Sequence, residues 1–249
     1  MKKIKLVTLF SGYDSQALAM ERLKRDWGGQ FDYELAAWCE IEPAAIKAHN
    51  ALFPQWADRN LGDICKINPN DVPDCDCLTY SFPCQDISNA GKQKGFEQGS
   101  GSRSSLLWEC EKIIKVKQPK YLLMENVKAL VQKKFMPEFQ RWIDTLTNLG
   151  YSNYWKVLNA KDYGVAQNRE RVFMVSILGE HQPYNFPAPS PLTKCVEDYM
   201  EPAEEIGEEY FISQDRVTNK VLSDILDQPN VRAEMEKLYH EEWQKVLSK

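Results

Sequence analysis

The run Cys77-Leu78-Thr79-Tyr80 leads into Ser81-Phe82-Pro83-Cys84-Gln85, and a segment rich in Gly, Ser, Lys and Gln follows from Asp86 to Ser105. A short apolar run that stops at a proline turn reads as a buried strand. Pro83 fixes φ and removes a donor, so it stiffens the turn that presents the Cys84 thiol. In an open α/β sheet, the carboxyl ends of strands are where ligands and chemistry collect. Taken alone, Cys84 reads first as a small buried cysteine with a loop after it, because free cysteine is among the most buried residue types. The segments on either side shift that balance.

Toward the N-terminus, Leu6 to Phe10 is an apolar strand pattern running into Ser11-Gly12-Tyr13-Asp14-Ser15. A helical stretch follows with Ala17, Leu18, Met20 and Leu23 on one face, capped by Ser15 or Asp14. Leu35 to Cys39 reads as the second strand, with Glu40 at its carboxyl end. Pro43 suits the first turn of the next helix, which carries Ile46 and ends near Asn50. Asp58 to Asn60 reads as a short strand before Gly62-Asp63-Ile64. Toward the C-terminus, a helix from Leu106 to Lys117 is ended by Gln118-Pro119. Tyr121 to Met124 is a strand ending at Glu125-Asn126-Val127. Phe135 to Leu149 is an amphipathic helix with Gly150 at its end. Tyr154 to Leu158 and Arg171 to Leu178 are two further strands. This alternation predicts an α/β fold, a doubly wound, mostly parallel sheet covered on both faces.

The alternation stops after Leu178. His181 to Pro191 is proline-rich and aperiodic, Glu197 to Glu209 is acidic, and Val217 to Lys249 is helical with a break at Pro229-Asn230. We therefore expect a domain over 1–180, a connector over 181–209 and a helical tail over 210–249. Hydrophobic residues at 43% and charged residues at 27% suit a soluble globular chain. No apolar run approaches the roughly 18–20 residues of a membrane span, and Met1 to Val7 lacks a signal-peptide core. Seven cysteines without C-x-x-C spacing point away from a disulfide scaffold and toward a reducing, cytoplasmic compartment. A net charge of −5 argues weakly against a strong nucleic-acid binder, although a local basic face is compatible with it.

Polar groups gather at the strand ends: Ser11-Gly12, Glu40, Cys84 and Glu125, with Asp63 after the weak third strand. An acid at the end of the second strand can take both hydroxyls of a ribose. A glycine turn after the first strand lets a ligand approach the backbone. Together they suggest an adenosine-containing cofactor. Singly, Glu40 reads as a solvated acid, Ser11-Gly12 as a turn, and Asp63 as a turn residue.

The chain resembles the DNA cytosine-5 methyltransferases. The matching stretches are Leu9-Phe10-Ser11-Gly12, Glu40, Gly62-Asp63-Ile64, Phe82-Pro83-Cys84-Gln85, Gly91-Lys92-Gln93-Lys94-Gly95-Phe96, Met124-Glu125-Asn126-Val127 and Tyr163-Gly164-Val165-Ala166-Gln167-Asn168-Arg169-Glu170-Arg171. They occur in the family's order over about residues 5–178. The resemblance implies the Rossmann-like sheet of S-adenosylmethionine-dependent enzymes and S-adenosyl-L-methionine as methyl donor. It implies Phe10 against the adenine, Glu40 on the ribose and Asp63 on the adenine amino group. Ser11, Gly12, Ile64 and Pro83 would complete the cofactor site. Ile41 stands where the family often has a stacking tryptophan, and Asp14 stands where it usually has a second glycine.

The resemblance also implies the chemistry. Cytosine C5 is a poor nucleophile, and a thiolate adding to C6 makes it enamine-like, which splits one hard step into easier ones. Cys84 would be that nucleophile. Glu125 would hold a proton at N3, kept there by burial. Asn126 would anchor the Pro83-Cys84 backbone, while Arg169 and Arg171 would steady the cytosine O2 and the neighbouring loop. A solvated pair before a strand is the alternative for these two arginines. The target base must be flipped out of the duplex, and the segment from Gln85 to Ser105 would close over the DNA.

Implied partners are duplex DNA and a second subunit. Only about 70 residues follow the arginine segment, and no Gly-Asn-x-Val/Ile motif occurs in them. Tyr210-Phe211-Ile212-Ser213 resembles the start of a recognition domain. The expectation is thus the larger subunit of a split enzyme, or a truncated form, acting in restriction-modification or DNA protection in a bacterial or phage-infected cell. A tRNA cytosine-5 methyltransferase and a catalytically incompetent partner subunit are the alternatives. A dinucleotide oxidoreductase is disfavoured, because no G-x-G-x-x-G follows the first strand.

Overall fold

The structure, a computed structural model, describes residues 3–84, 87, 103–202, 205 and 207. The chain divides into two compact units, Met1–Cys195 and Val196–Lys249, so the expected connector 181–209 spans their boundary. Residues 85, 86 and 88–102 of the expected closing segment Gln85 to Ser105, and the helical tail over 210–249, lie outside the described residues.

The first unit is a six-stranded sheet in the order β2-β1-β3-β4-β6-β5. Its strands are β1 (Ile4–Leu9), β2 (Tyr33–Cys39), β3 (Cys77–Tyr80), β4 (Tyr121–Val127), β5 (Tyr151–Asn159) and β6 (Glu170–Leu178). The helices are α1 (Ser15–Asp26), α2 (Pro43–Leu52), α3 (Leu107–Lys117) and α4 (Met136–Asn148). β2, β1, β3 and β4 pair in parallel, whereas β6 pairs antiparallel with both β4 and β5. Only β6 is therefore reversed. Asp58 to Asn60 is not the expected strand. Pro54–Arg59 is a 3-10 helix, and Asn60 makes a single bridge to Trp38. Proline and the short polar residues of that stretch favour a tight turn over a ladder.

Alternation along the strands builds two cores. Val7, Leu9, Leu78, Tyr80, Leu122 and Met124 face α3 and α4, where Trp108, Ile113, Phe139 and Trp142 meet them. Leu6, Tyr33, Leu35 and Trp38 face α1 and α2. A register shift between Leu6 and Val7 pairs them with Leu35 and Ala37, leaving Ala36 as an extra residue. A bulge of this kind flips the alternation beyond it. Leu35 and Trp38 consequently share the α1–α2 face, while Ala37 and Cys39 turn to the other core.

The register also aligns the strand ends. Leu9 pairs with both Cys39 and Tyr80, and Tyr80 pairs with Met124. Phe10 to Asp14, Glu40 and Ser81 to Cys84 thus leave the sheet at one edge, where Glu125-Asn126 lie among the last residues of β4. Because β6 is reversed, its first residues arrive at that edge, with Arg171 opposite Val127.

Candidate active site

Cys84 follows β3 by four residues and is half-buried, with its carbonyl accepting from Ile87 N at 2.9 Å. Asn126 Nδ2, 3% exposed, donates to the Phe82 carbonyl at 3.0 Å. That carbonyl belongs to the peptide leading into Pro83, so the anchor lies one peptide earlier than the expected Pro83-Cys84 link. Gln16 Nε2 on α1 donates to Ser81 Oγ at 3.1 Å and holds the start of the same turn. Burial pushes Cys39, Cys75 and Cys77 up to about 12, and it raises Cys110 well above the ordinary thiol value. None of those four can supply a thiolate near neutral pH.

Glu125 pairs across the ladder with Phe173, which places Arg171 diagonally beside it on the same face. Arg171 Nε lies 3.1 Å from Glu125 Oε1, and both side chains are about a quarter exposed at 24% and 23%. Glu125 thus has a guanidinium partner across the ladder. Arg169 is exposed. Its backbone is tied to the end of β5, with Arg169 N donating to Asn159 Oδ1 at 3.0 Å and Asn159 Nδ2 donating to Asn168 Oδ1 at 2.7 Å.

The turn after β1 forms the other half. Phe10, Gly12 and Asp14 have φ of 56°, 58° and 67°, three left-handed residues at alternate positions. For Phe10 this costs about 1–2 kcal/mol, the kind of strain that collects at ligand sites. Ser11 N donates to the Cys39 carbonyl at 3.0 Å, and Gly12 N donates to Glu40 Oε2 at 2.9 Å. Glu40 Oε1 accepts from Ile41 N at 2.8 Å and Glu42 N at 2.9 Å. Asp63 Oδ1 accepts from Cys65 N at 3.0 Å, opening the 3-10 turn Ile64–Lys66, and Ile64 lies in the core beneath it. Tyr13 and Ile41 flank this region, 53% and 65% exposed.

These residues fit an adenosine cofactor. A Cβ added at Gly12 would meet nothing within 4 Å, so the turn offers open space to a ligand. Glu40 and Asp63 are hard oxygen acceptors suited to hydroxyl and amino donors, and Ile41 supplies an apolar flank.

Sequence reasoning missed the supports of this site. Asn60 Oδ1 accepts from Glu40 N at 3.1 Å and Gly62 N at 3.0 Å, while Asn60 Nδ2 donates to the Glu40 carbonyl at 3.0 Å. One side chain thus ties the Glu40 backbone to Gly62, the residue before Asp63. The Asn-x-Gly-Asp order was its only sequence signal. Asn159 was missed in the same way, because its role depends on a partner ten residues away.

The chain matches the family described as C-5 cytosine-specific DNA methylase over residues 4–248. It is 49% identical over 170 residues to the type II methyltransferase M2.ScrFI of Lactococcus lactis subsp. cremoris, covering 68% of this chain and 47% of that protein. It is 48% identical over 166 residues to the orphan methyltransferase M.SssI of Spiroplasma monobiae, covering 65% of this chain and 43% of that protein. The chain thus spans a little under half the length of these relatives. Among solved structures it resembles the Entamoeba histolytica methyltransferase EhMeth, with a TM-score of 0.68 at 17% identity over 86% of this chain and 64% of that one. That likeness is one of fold and agrees with a Rossmann-like sheet. The comparisons give no support to the expected second subunit. Nearly the whole sequence falls within one family match, and the chain belongs to the C-5 cytosine-specific DNA methylase family.

Proposed function

We propose that the protein methylates C5 of a cytosine flipped out of duplex DNA, through a covalent bond between Cys84 Sγ and cytosine C6. The observation that carries this reading is the convergence at one sheet edge of the Cys84 turn, the Glu125–Arg171 pair and the Asn126 anchor, beside the Glu40 turn. Glu40 and Asp63 would hold the ribose and adenine of S-adenosylmethionine, with Phe10, Gly12 and Ile41 around them. When bound, that cofactor supplies an electrophilic methyl group.

The Cys84 thiolate adds to C6, and the C5–C6 electron pair moves onto C5, which becomes nucleophilic. Glu125, oriented by Arg171 Nε, faces N3, and a proton taken up between the carboxylate and N3 as Cys84 adds draws charge out of the ring. Arg169 and Arg171 steady the O2 side by charge-assisted hydrogen bonds. Asn126 keeps the Phe82–Pro83 peptide still, so Cys84 meets C6 in a fixed direction. Once C5 is substituted, a base removes its proton, the C5–C6 double bond re-forms, and Cys84 leaves as a thiolate.

Two measurements test this. Cys84→Ser should lower methyl transfer by roughly a thousandfold or more, while S-adenosylmethionine still binds by calorimetry. Duplex DNA carrying 5-fluorocytosine at the target should accumulate a covalent adduct on Cys84, because fluorine cannot leave as the proton does. An adduct on another cysteine, or turnover with no adduct, overturns the assignment. Labelling of tRNA in place of DNA would favour the RNA alternative.

A further inference from the structure

The turn that carries Phe10 and Gly12 is held from below by a buried pair. Asp14 and His49 are both 0% exposed, and Asp14 Oδ2 lies 3.6 Å from His49 Nε2. The same oxygen accepts from Thr8 Oγ1 at 2.7 Å, and Asp14 Oδ1 accepts from Ala17 N at 3.0 Å, capping α1. Neither His49 ring nitrogen has a hydrogen bond, and the Asp14 carboxylate is the acidic group that faces the ring. The His49 ring stacks on Trp38, with centroids 3.7 Å apart and planes at 17°. Trp38 in turn donates its indole N–H to the Trp56 carbonyl at 2.8 Å. The Ala36 bulge is what brings Trp38 to this face.

A glycine would satisfy φ of 67° at position 14 without strain. An aspartate there must be held, and the carboxylate that Thr8, Ala17 and His49 surround does the holding. Two further ties join the two sides of the pocket: Ser11 N on the Cys39 carbonyl at the strand end, and Gly12 N on Glu40 Oε2 at the ligand face itself. On the cofactor reading, Gly12 N would share Glu40 Oε2 with a ribose hydroxyl. The Asp14–His49 contact is remote from that competition.

We propose that Asp14 and His49 are a positioning pair, which fixes the β1–α1 turn to α2 and thereby sets the affinity for S-adenosylmethionine. This rests on the cofactor reading given above. Neither residue touches the ligand; both act through the placement of Phe10, Gly12 and Glu40.

The test uses the full chain with Asp14→Gly, His49→Phe and the double variant. Cofactor affinity is measured by calorimetry, and ligand-free stability by urea unfolding. His49→Phe keeps an aromatic ring on Trp38 and removes both ring nitrogens. Each single variant should weaken binding about tenfold, and the double variant should lose no more than the worse single one. Asp14→Gly should not rescue binding, although its backbone is unstrained. Wild-type affinity in Asp14→Gly, or losses that add in the double variant, overturns the pair. If Asp14→Gly does not fold, His49→Phe decides alone, and unchanged affinity in that variant overturns the proposal. A stability loss with unchanged affinity would mark the pair as structural only and overturn it as well. A wild-type chain that binds no S-adenosylmethionine overturns the cofactor reading itself, which separates that failure from a failure of the pair.

Discussion

Glu40 shows how a single side chain can serve both the fold and the site. Its two carboxylate oxygens offer about four lone-pair positions, and three backbone amides, those of Gly12, Ile41 and Glu42, already use them. One position on Oε2 remains for a ribose hydroxyl. Asp63 spends one position on Cys65 N and keeps more for a ligand. Counted by free acceptors alone, Asp63 would matter more. Glu40→Ala, however, also releases Gly12 N and loosens the strained turn. We therefore expect Glu40→Ala to weaken S-adenosylmethionine binding more than Asp63→Ala does. Hydrogen bonds to charged groups contribute about 1.5–3 kcal/mol each, so the difference should be at least tenfold in affinity by calorimetric titration. Equal losses would mean that Glu40 does not organise the turn.

Among the elements, α4 carries the second face of the sheet. Phe139, Trp142 and Leu146 lie one turn apart and are fully buried. Trp142 packs edge-on against Tyr80 and Trp108, and its indole N–H donates to Tyr80 Oη at 3.1 Å. Tyr80 is the last residue of β3, so this bond supports the strand end from which the Cys84 turn departs. Trp142→Ala should destabilise the chain by about 3–5 kcal/mol. Trp142→Phe should lose less, about 1–3 kcal/mol, chiefly by leaving the Tyr80 hydroxyl unpaired. Urea unfolding measures both, and the order alanine worse than phenylalanine is the outcome required. A Phe variant as unstable as the Ala variant would put the weight on the hydrogen bond instead of the packing.

For the whole molecule, every residue assigned to the site lies within the unit Met1–Cys195, which also holds the sheet and both cores. A chain ending at Cys195 should therefore fold cooperatively and bind S-adenosylmethionine with unchanged affinity. Thermal unfolding and calorimetry check this, and loss of binding would show that residues beyond 195 complete the pocket. Across the described residues, no helix is long and apolar enough to cross a membrane.

Most of the architecture was legible in the sequence because it rests on local chemistry. Apolar periodicity marks Leu6 to Leu9, Leu35 to Cys39 and Leu78 to Tyr80 as strands. Proline and short polar residues mark their ends, and the ordered motifs around Cys84, Glu125 and Arg171 mark the family. The misread element, Asp58 to Asn60, was too short for periodicity to show. The links across the fold were not legible at all. No sequence pattern pairs Asp14 with His49, Asn60 with Glu40, or Arg171 with Glu125. Each joins residues from separate elements, and each depends on strand order, on the Ala36 bulge or on the reversal of β6. The sequence by itself determined which side chains leave the carboxyl edge of the sheet. Only the tertiary structure decided which of them touch, because register and strand direction are set by packing two cores at once, and no local window contains that information.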